Sequence, residues 1–253
     1  MNQTIESPSF KIQLTDMQVT GSSHTQCQDV IYSKCDSKLL LAGIADGKSE
    51  ARYSREGGIT VLEAVADYIA SVGMSTLVHA RFPDELPCTV VATFRSALQK
   101  LAQAHQASFQ EFASTLLLLA IDLVTGQYLA LHLGDGCILG ISQEGDIFPI
   151  SQPENGLTMY HTWLTTSDSA VFHLRISYGN VHKKGRILLM TSGAACFCWN
   201  RSVPHRAQEL IASAPPENLY RRLAQSEPAD DASCIILDFL DQTSQDRSSE
   251  FHD

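Results

Sequence analysis

Phe10, Ile12 and Leu14 are separated by single polar residues, the period of a half-buried strand. Residues 1–9 show no such pattern and read as a flexible N-terminus. Val30–Ser33 and Leu39–Ala45 predict two more strands, joined by a charged turn at Asp36. A polar loop, Asp46–Glu56, leads to a helix over Gly58–Val72, where Ile59, Leu62, Val65 and Ile69 share one face. A second helix is expected over Cys88–Gln106, with Val91, Phe94, Leu98 and Leu101 as its stripe and Pro83 and Pro87 in the loop before it.

From Phe112 onward the period changes. Phe112–Ile121, Gln127–Leu133 and Cys137–Ser142 predict consecutive antiparallel strands, turning at Thr125-Gly126 and at Gly134-Asp135-Gly136. A short strand is expected at Ile147–Ile150, an irregular stretch over Gln152–Asp168, and strands at Val171–Ile176 and Arg186–Thr191. Two short helices, Val203–Ala214 and Glu217–Gln225, are broken by Pro215-Pro216. Cys234–Leu240 is the last strand, and the polar residues 241–253 read as a disordered tail. Long helices outside runs of antiparallel strands predict an α+β layered fold rather than a doubly wound parallel sheet. No linker tract or internal repeat divides it, so residues 10–240 are expected to form one domain.

Composition narrows the picture. A 253-residue chain that is 44% hydrophobic can bury a sizeable core without disulfides or a structural metal. A net charge of −10 argues against a nucleic-acid partner and suits a site that gathers divalent cations. The seven cysteines are odd in number and irregularly spaced, so they do not read as a disulfide framework. Cys196 and Cys198 form a C-x-C that reads as buried or incidental thiols rather than a metal or redox pair. The N-terminus lacks the pattern of a signal peptide. No apolar run approaches the roughly 20 residues of a membrane span. A cytoplasmic protein without a membrane partner is expected. Trp163 and Trp199 read as core or partner contacts.

There is no nucleophile elbow, no H-E-x-x-H and no phosphate loop, and the glycines at 134 and 136 lack the third glycine of a dinucleotide fingerprint. What remains is a set of aspartates at strand ends: Asp29, Asp46, Asp135, Asp230 and Asp231. Each alone is a turn or capping residue. Together they are carboxylates abutting apolar strands, costly to bury unless neutralised, and hard oxygen ligands of this kind suit Mg²⁺ or Mn²⁺.

Four segments in order carry a family resemblance: GSSHTQCQD (Gly21–Asp29), GIADGKSEARYSREGG (Gly43–Gly58), FASTLLLLAI with LHLGDGCILG, and LLMTSGA with ADDASCIIL. They resemble the metal-dependent type 2C protein phosphatases, in particular a bacterial branch with a G-x-S-H…C-Q-D opening. The resemblance implies a four-layer α-β-β-α sandwich, two antiparallel sheets flanked by helices. It implies Mg²⁺ or Mn²⁺ at two sites, with Asp46 bridging, Gly47 adding its carbonyl, Asp29 completing the second ion's ligands, Asp230 holding the first, and Asp135 in a weaker third site. It also implies hydrolysis of phosphoserine or phosphothreonine by a metal-bound hydroxide, with a phosphorylated protein as substrate and a cognate Ser/Thr kinase as a partner.

Three positions depart from the family pattern. Thr191-Ser192-Gly193 puts Ser192 where the family's T-D-G carries a ligand carboxylate, and a neutral hydroxyl is a poor donor for a hard cation. Lys48 follows A-D-G; it would pair with Asp46 or a substrate phosphate, or stand solvated. His24 takes the place of a phosphate-binding arginine, as a general acid or a structural hydrogen-bonder. Arg52 and Arg55 would supply a phosphate fork or lie solvated. The alternative to an enzyme is a pseudophosphatase or phosphoprotein-binding module with an impaired metal site. A structural subunit without metal is a third reading.

Overall fold

The computed structural model describes residues 2–79, 85–155, 162–181, 185–198 and 214–240. In chain order the strands are β1 (Asn2–Glu6), β2 (Lys11–Val19), β3 (Val30–Cys35), β4 (Leu39–Ala45), β5 (Leu116–Asp122), β6 (Gln127–Leu133), β7 (Cys137–Ile141), β8 (Ile147–Ser151), β9 (Arg175–Asn180), β10 (Arg186–Met190) and β11 (Ala232–Leu240). The helices are α1 (Ser54–Val72), α2 (Met74–Val78), α3 (Glu85–His105), α4 (Ala170–His173), α5 (Ser192–Cys198) and α6 (Pro216–Gln225), with a 3-10 turn at Phe109–Phe112.

The strands form a six-stranded sheet, β1-β2-β11-β10-β7-β8, and a five-stranded sheet, β3-β4-β5-β6-β9. Their pairings are antiparallel throughout. β5 shows why the sandwich has four layers. Successive side chains of a strand point to opposite faces. Leu117, Leu119 and Ile121 pack with Ile12, Leu14, Ile138, Leu189 and Ile235 between the two sheets. Leu116, Leu118 and Ala120 pack outward with Val65, Ile69, Phe94 and Leu98 of α1 and α3. On the far side, Leu139, Leu188 and Ile236 of the six-stranded sheet meet Ala194 and Ala195 of α5 and Leu219 and Leu223 of α6. An uninterrupted apolar strand is what a sheet covered on both faces demands. The expected α-β-β-α sandwich is the fold observed.

Several elements differ from their sequence expectation. Residues 2–6, expected as part of a flexible end, pair with β2 from Asn2↔Thr15 to Glu6↔Lys11. The segment expected as a strand from Val171 first makes one helical turn, α4, with Ala170 and the capping Leu174 buried four residues apart. α1 begins at Ser54, inside the expected loop, and α2 has no counterpart in the sequence reading. The strand expected from Phe112 begins at Leu116, after the 3-10 turn. The helix expected over Val203–Ala214, Trp199 and the tail 241–253 lie outside the described residues, apart from Ala214. Among the described residues no helix is long and apolar enough to cross a membrane.

Topology collects the acidic strand ends. Asp46 follows β4, and Asp29 precedes β3, the antiparallel neighbour of β4. Asp135 lies where the chain leaves β6 in one sheet and enters β7 in the other. Ser192 follows β10, and Asp230 precedes its antiparallel neighbour β11. Chain reversal at each step puts all of these residues at one end of the sandwich.

Candidate active site

The end of β4 is held by main-chain and hydroxyl contacts. Asp46 N–H donates to Thr115 Oγ1 (2.8 Å), Thr115 N–H donates to the Asp46 carbonyl (2.9 Å), and Gly47 bridges to Ser114. At the β6–β7 corner, Gly134 has φ +123°, a left-handed value that a side chain would strain, and this turns Asp135 toward the same space. A cavity of about 420 Å³ opens there. Asp46, Gly47, Lys48, Asp135, Ser192 and Asp230 are among its lining residues. Asp29 is fully buried and lies behind it, close enough for its charge to act on Asp46.

Three of the carboxylates take a hydrogen bond from a hydroxyl. Thr191 Oγ1 donates to Asp29 Oδ2 (2.9 Å), Ser192 Oγ to Asp46 Oδ2 (2.8 Å), and Thr162 Oγ1 to Asp135 Oδ2 (2.7 Å). These bonds offset only part of the cost of crowding negative charge in a poorly solvated place. Burial pushes the Asp29 carboxyl up to about 7, with the Ser233 and Thr191 hydroxyls opposing and Asp231 and Asp230 adding. Burial, then repulsion from Asp29, raises Asp46 well above the usual carboxylate range, and the Ser192 hydroxyl opposes. Burial also raises Asp135, against the Thr162 hydrogen bond.

Asp230 and Asp231 are adjacent yet do different things. Asp231 is buried; its Oδ1 accepts from Gly21 N–H (2.8 Å) and its Oδ2 from Gln28 N–H (2.7 Å). It therefore ties the segment leading to Asp29 onto the start of β11. Asp230 is half exposed and lines the cavity. His24 Nδ1 lies 2.9 Å from Asp231 Oδ2 and 3.8 Å from Asp230 Oδ1.

The other candidates fall around this centre. Lys48 lines the cavity, but its Nζ faces Glu50 Oε2 at 3.8 Å rather than Asp46. His24, Arg52 and Arg55 line a second cavity, also about 420 Å³, on the other side of the loop after Gly47. Arg55 donates to the carbonyls of Cys27 and Asp29 and so braces the Asp29 backbone. Cys196 is exposed on α5, and its thiol is pushed up by partial burial and by Asp135 and Asp230. The residues that sequence reasoning passed over are Thr115, Thr162 and Thr191. Thr115 and Thr191 carry a signal in retrospect, as hydroxyls at the ends of LLLLAI and LLM.

The donor set is one that a hard divalent cation can use. Among the described residues, no three acidic, histidine or cysteine side chains converge closely enough to form a complete ligand cluster. A Mg²⁺-type ion does not require one, since it keeps several waters and uses one or two carboxylates. A cavity of about 420 Å³ has room for those waters. Asp29 Oδ1 is buried with no hydrogen-bond partner, an unsatisfied anionic oxygen beside that space. All the facing donors are oxygens, so the residues fit such an ion.

Residues 20–241 match the sequence profile of a family described as Protein phosphatase 2C. No curated protein matches the sequence. Among solved structures, RsbX in complex with magnesium is 16% identical with a TM-score of 0.60, covering 94% of this chain and 100% of that one. The catalytic domain of the serine/threonine phosphatase PstP with two manganese ions is 14% identical, TM-score 0.62, covering 91% and 99%. The S. agalactiae serine/threonine phosphatase is 13% identical, TM-score 0.67, covering 89% and 98%. At these identities the structural likeness is one of fold.

Proposed function

The chain belongs to the protein phosphatase 2C family, and from that premise we propose that it removes phosphate from serine or threonine residues of proteins with a bound divalent cation. The observation that carries this reading is the cavity where Asp46, Asp135 and Asp230 meet in front of buried Asp29, with the Asp29, Asp46 and Asp135 carboxyls raised by burial first and by neighbouring carboxylates second. Anions forced together this way favour binding a cation over remaining alone. Asp29, Asp46, the Gly47 carbonyl and Asp230 would hold Mg²⁺ or Mn²⁺, and Asp135 would serve a weaker additional position. That the RsbX and PstP structures hold magnesium and manganese supports the choice of metal. Bound there, the ion supplies positive charge against the phosphoryl oxygens and acidity to water.

The chain's own groups do the rest. Lys48, at the cavity rim, brings an ammonium to the phosphoryl oxygens and orients them for in-line attack. His24 lines the neighbouring cavity with its Nδ1 3.8 Å from Asp230, and would act as a general acid for the departing serine or threonine oxygen or as a structural hydrogen-bonder. Asp231 keeps that imidazole in position. Ser192 holds Asp46 through its hydroxyl where the resemblance has a carboxylate, so one anionic ligand is missing and cation affinity at that position is low. This feature also favours the second reading, a phosphoprotein-binding module with little turnover.

A phosphothreonine peptide assayed with Mn²⁺ separates the readings. Turnover that needs Mn²⁺ and is abolished in Asp46→Ala is the expected result. Ser192→Asp should raise the rate by about 10²-fold or more, because it restores a ligand that stabilises the transition state. A silent wild type with an active Ser192→Asp variant would support a decayed catalyst, the pseudophosphatase reading. Silence in both, with no heat of Mn²⁺ binding, would end the metal-dependent proposal.

A further inference from the structure

The second cavity holds two guanidinium groups that no carboxylate contacts. Arg52 and Arg55 line it with Ser23, His24, Cys27, Gln28 and one acid, Glu56. Among the described residues, Arg95, Arg175 and Arg186 each meet a carboxylate, and Arg221 and Arg222 stand exposed on α6. Arg52, also exposed, and the half-buried Arg55 line one cavity and meet no carboxylate there. Arg55 uses one Nη on main-chain carbonyls. The Arg52 guanidinium carbon sits 5.0 Å from the Tyr53 ring centroid, a contact that orients the fork without neutralising it.

The acids nearby are otherwise engaged. Glu111 accepts the Arg52 main-chain N–H at 3.0 Å. Glu56 faces His105 Nε2 at 3.7 Å. Asp231 is occupied by two amides and His24. In a chain with a net charge of −10, a pocket with two guanidinium groups free of carboxylate contact, its one acid facing His105, is a place for an outside anion.

We propose that this cavity is a subsite for an anionic residue, phosphorylated or acidic, that flanks the scissile phosphoresidue of the protein substrate. The identity of the occupant rests on the phosphatase reading above; the anion site itself does not. Glu50 lines the carboxylate cavity and Arg52 the second one. Two residues of chain span at most about 7 Å between Cα atoms, so the cavities are neighbours. An extended substrate advancing roughly 3.3 Å per residue would place its flanking anion about two to four positions from the scissile residue. The division of labour is electrostatic: the carboxylate cavity repels an extra anion unless a cation fills it, and the arginine cavity attracts one.

Two measurements test this. The first is Mn²⁺-dependent hydrolysis of two phosphothreonine peptides that differ only three positions away, phosphoserine in one and alanine in the other. The phosphoserine peptide should have a kcat/KM about three- to tenfold higher, mostly through KM. That ratio should fall toward one in Arg52→Gln and be largely kept in Arg52→Lys. The second reads binding without turnover: metal-free protein is titrated with a peptide carrying the flanking phosphoserine and alanine at the scissile position. The side-chain NMR signals of Arg52 and Arg55 should shift saturably, and an all-alanine peptide should leave them still. Turnover of both peptides at equal efficiency, with still arginine signals, overturns the subsite and leaves the phosphatase. Saturable arginine shifts without turnover of either peptide overturn the phosphatase and leave the anion site. Neither turnover nor shifts overturns both.

Discussion

The hydroxyl donors on Asp29, Asp46 and Asp135 show how a metal-free acidic centre is kept folded. Removing one should be felt modestly: Ser192→Ala takes the donor from Asp46, and the metal-free protein should lose about 1 kcal/mol in a denaturant titration. Asp29 gives a pH signature. Its folded pKa, about 7, lies above the usual carboxylate value, so the native state holds a proton that the unfolded chain has released. Stability of the metal-free protein should therefore fall as pH rises from about 4 to 7, on the order of a few kcal/mol, and Asp29→Asn should make that slope shallower, with buried Asp46 and Asp135 supplying the rest. His132 works in the opposite sense. It is fully buried, with Nδ1 2.8 Å from Ser151 Oγ and Nε2 unpartnered, and burial holds its pKa well below 6.5. The unfolded chain takes up the proton first, so stability should fall as pH drops through about 6.5, and His132→Leu should remove that acid-side loss. Midpoints of thermal unfolding across pH in the two variants separate the contributions.

At the scale of elements, the strands and long helices were legible because their apolar periods are strong, while their ends were not. Gly57 and Gly58 weaken the look of a helix, yet α1 runs through them because the 3-10 turn packs there. A Cβ on Gly57 would collide with the Phe112 carbonyl. Gly57→Ala is expected to cost about 3 kcal/mol and to lower the Tm by roughly 6–12 °C, measurable by calorimetry. β1 escaped notice because only Ile5 of NQTIE is buried. Its stability comes from main-chain pairing with β2, which leaves no hydrophobic trace. α4 was misread because Val171 and Phe172 favour a strand, yet the turn buries Ala170 and Leu174, four residues apart, and leaves Phe172 exposed.

For the whole molecule, the sandwich carries its acidic end on a chain already at −10, so a cation bound there would be linked to folding. Mn²⁺ at about a hundred times its Kd should add roughly 2.7 kcal/mol by mass action, a Tm rise of about 5–10 °C in a domain of this size. Asp46→Ala should show little of that rise. A wild-type Tm indifferent to Mn²⁺ would count against a cation at this end of the fold.

The α+β class, the strand order along the chain and the aspartates at strand ends could be read from the sequence, because periodicity and the cost of burying a carboxylate are local properties. The tertiary structure alone decided that Asp230 faces the cavity while Asp231 ties down a loop. It also decided that Lys48 turns to Glu50, and that Arg52 and Arg55 belong to a neighbouring cavity. The direction of a side chain is set by what packs against it from distant parts of the chain, and a linear pattern carries no record of those contacts.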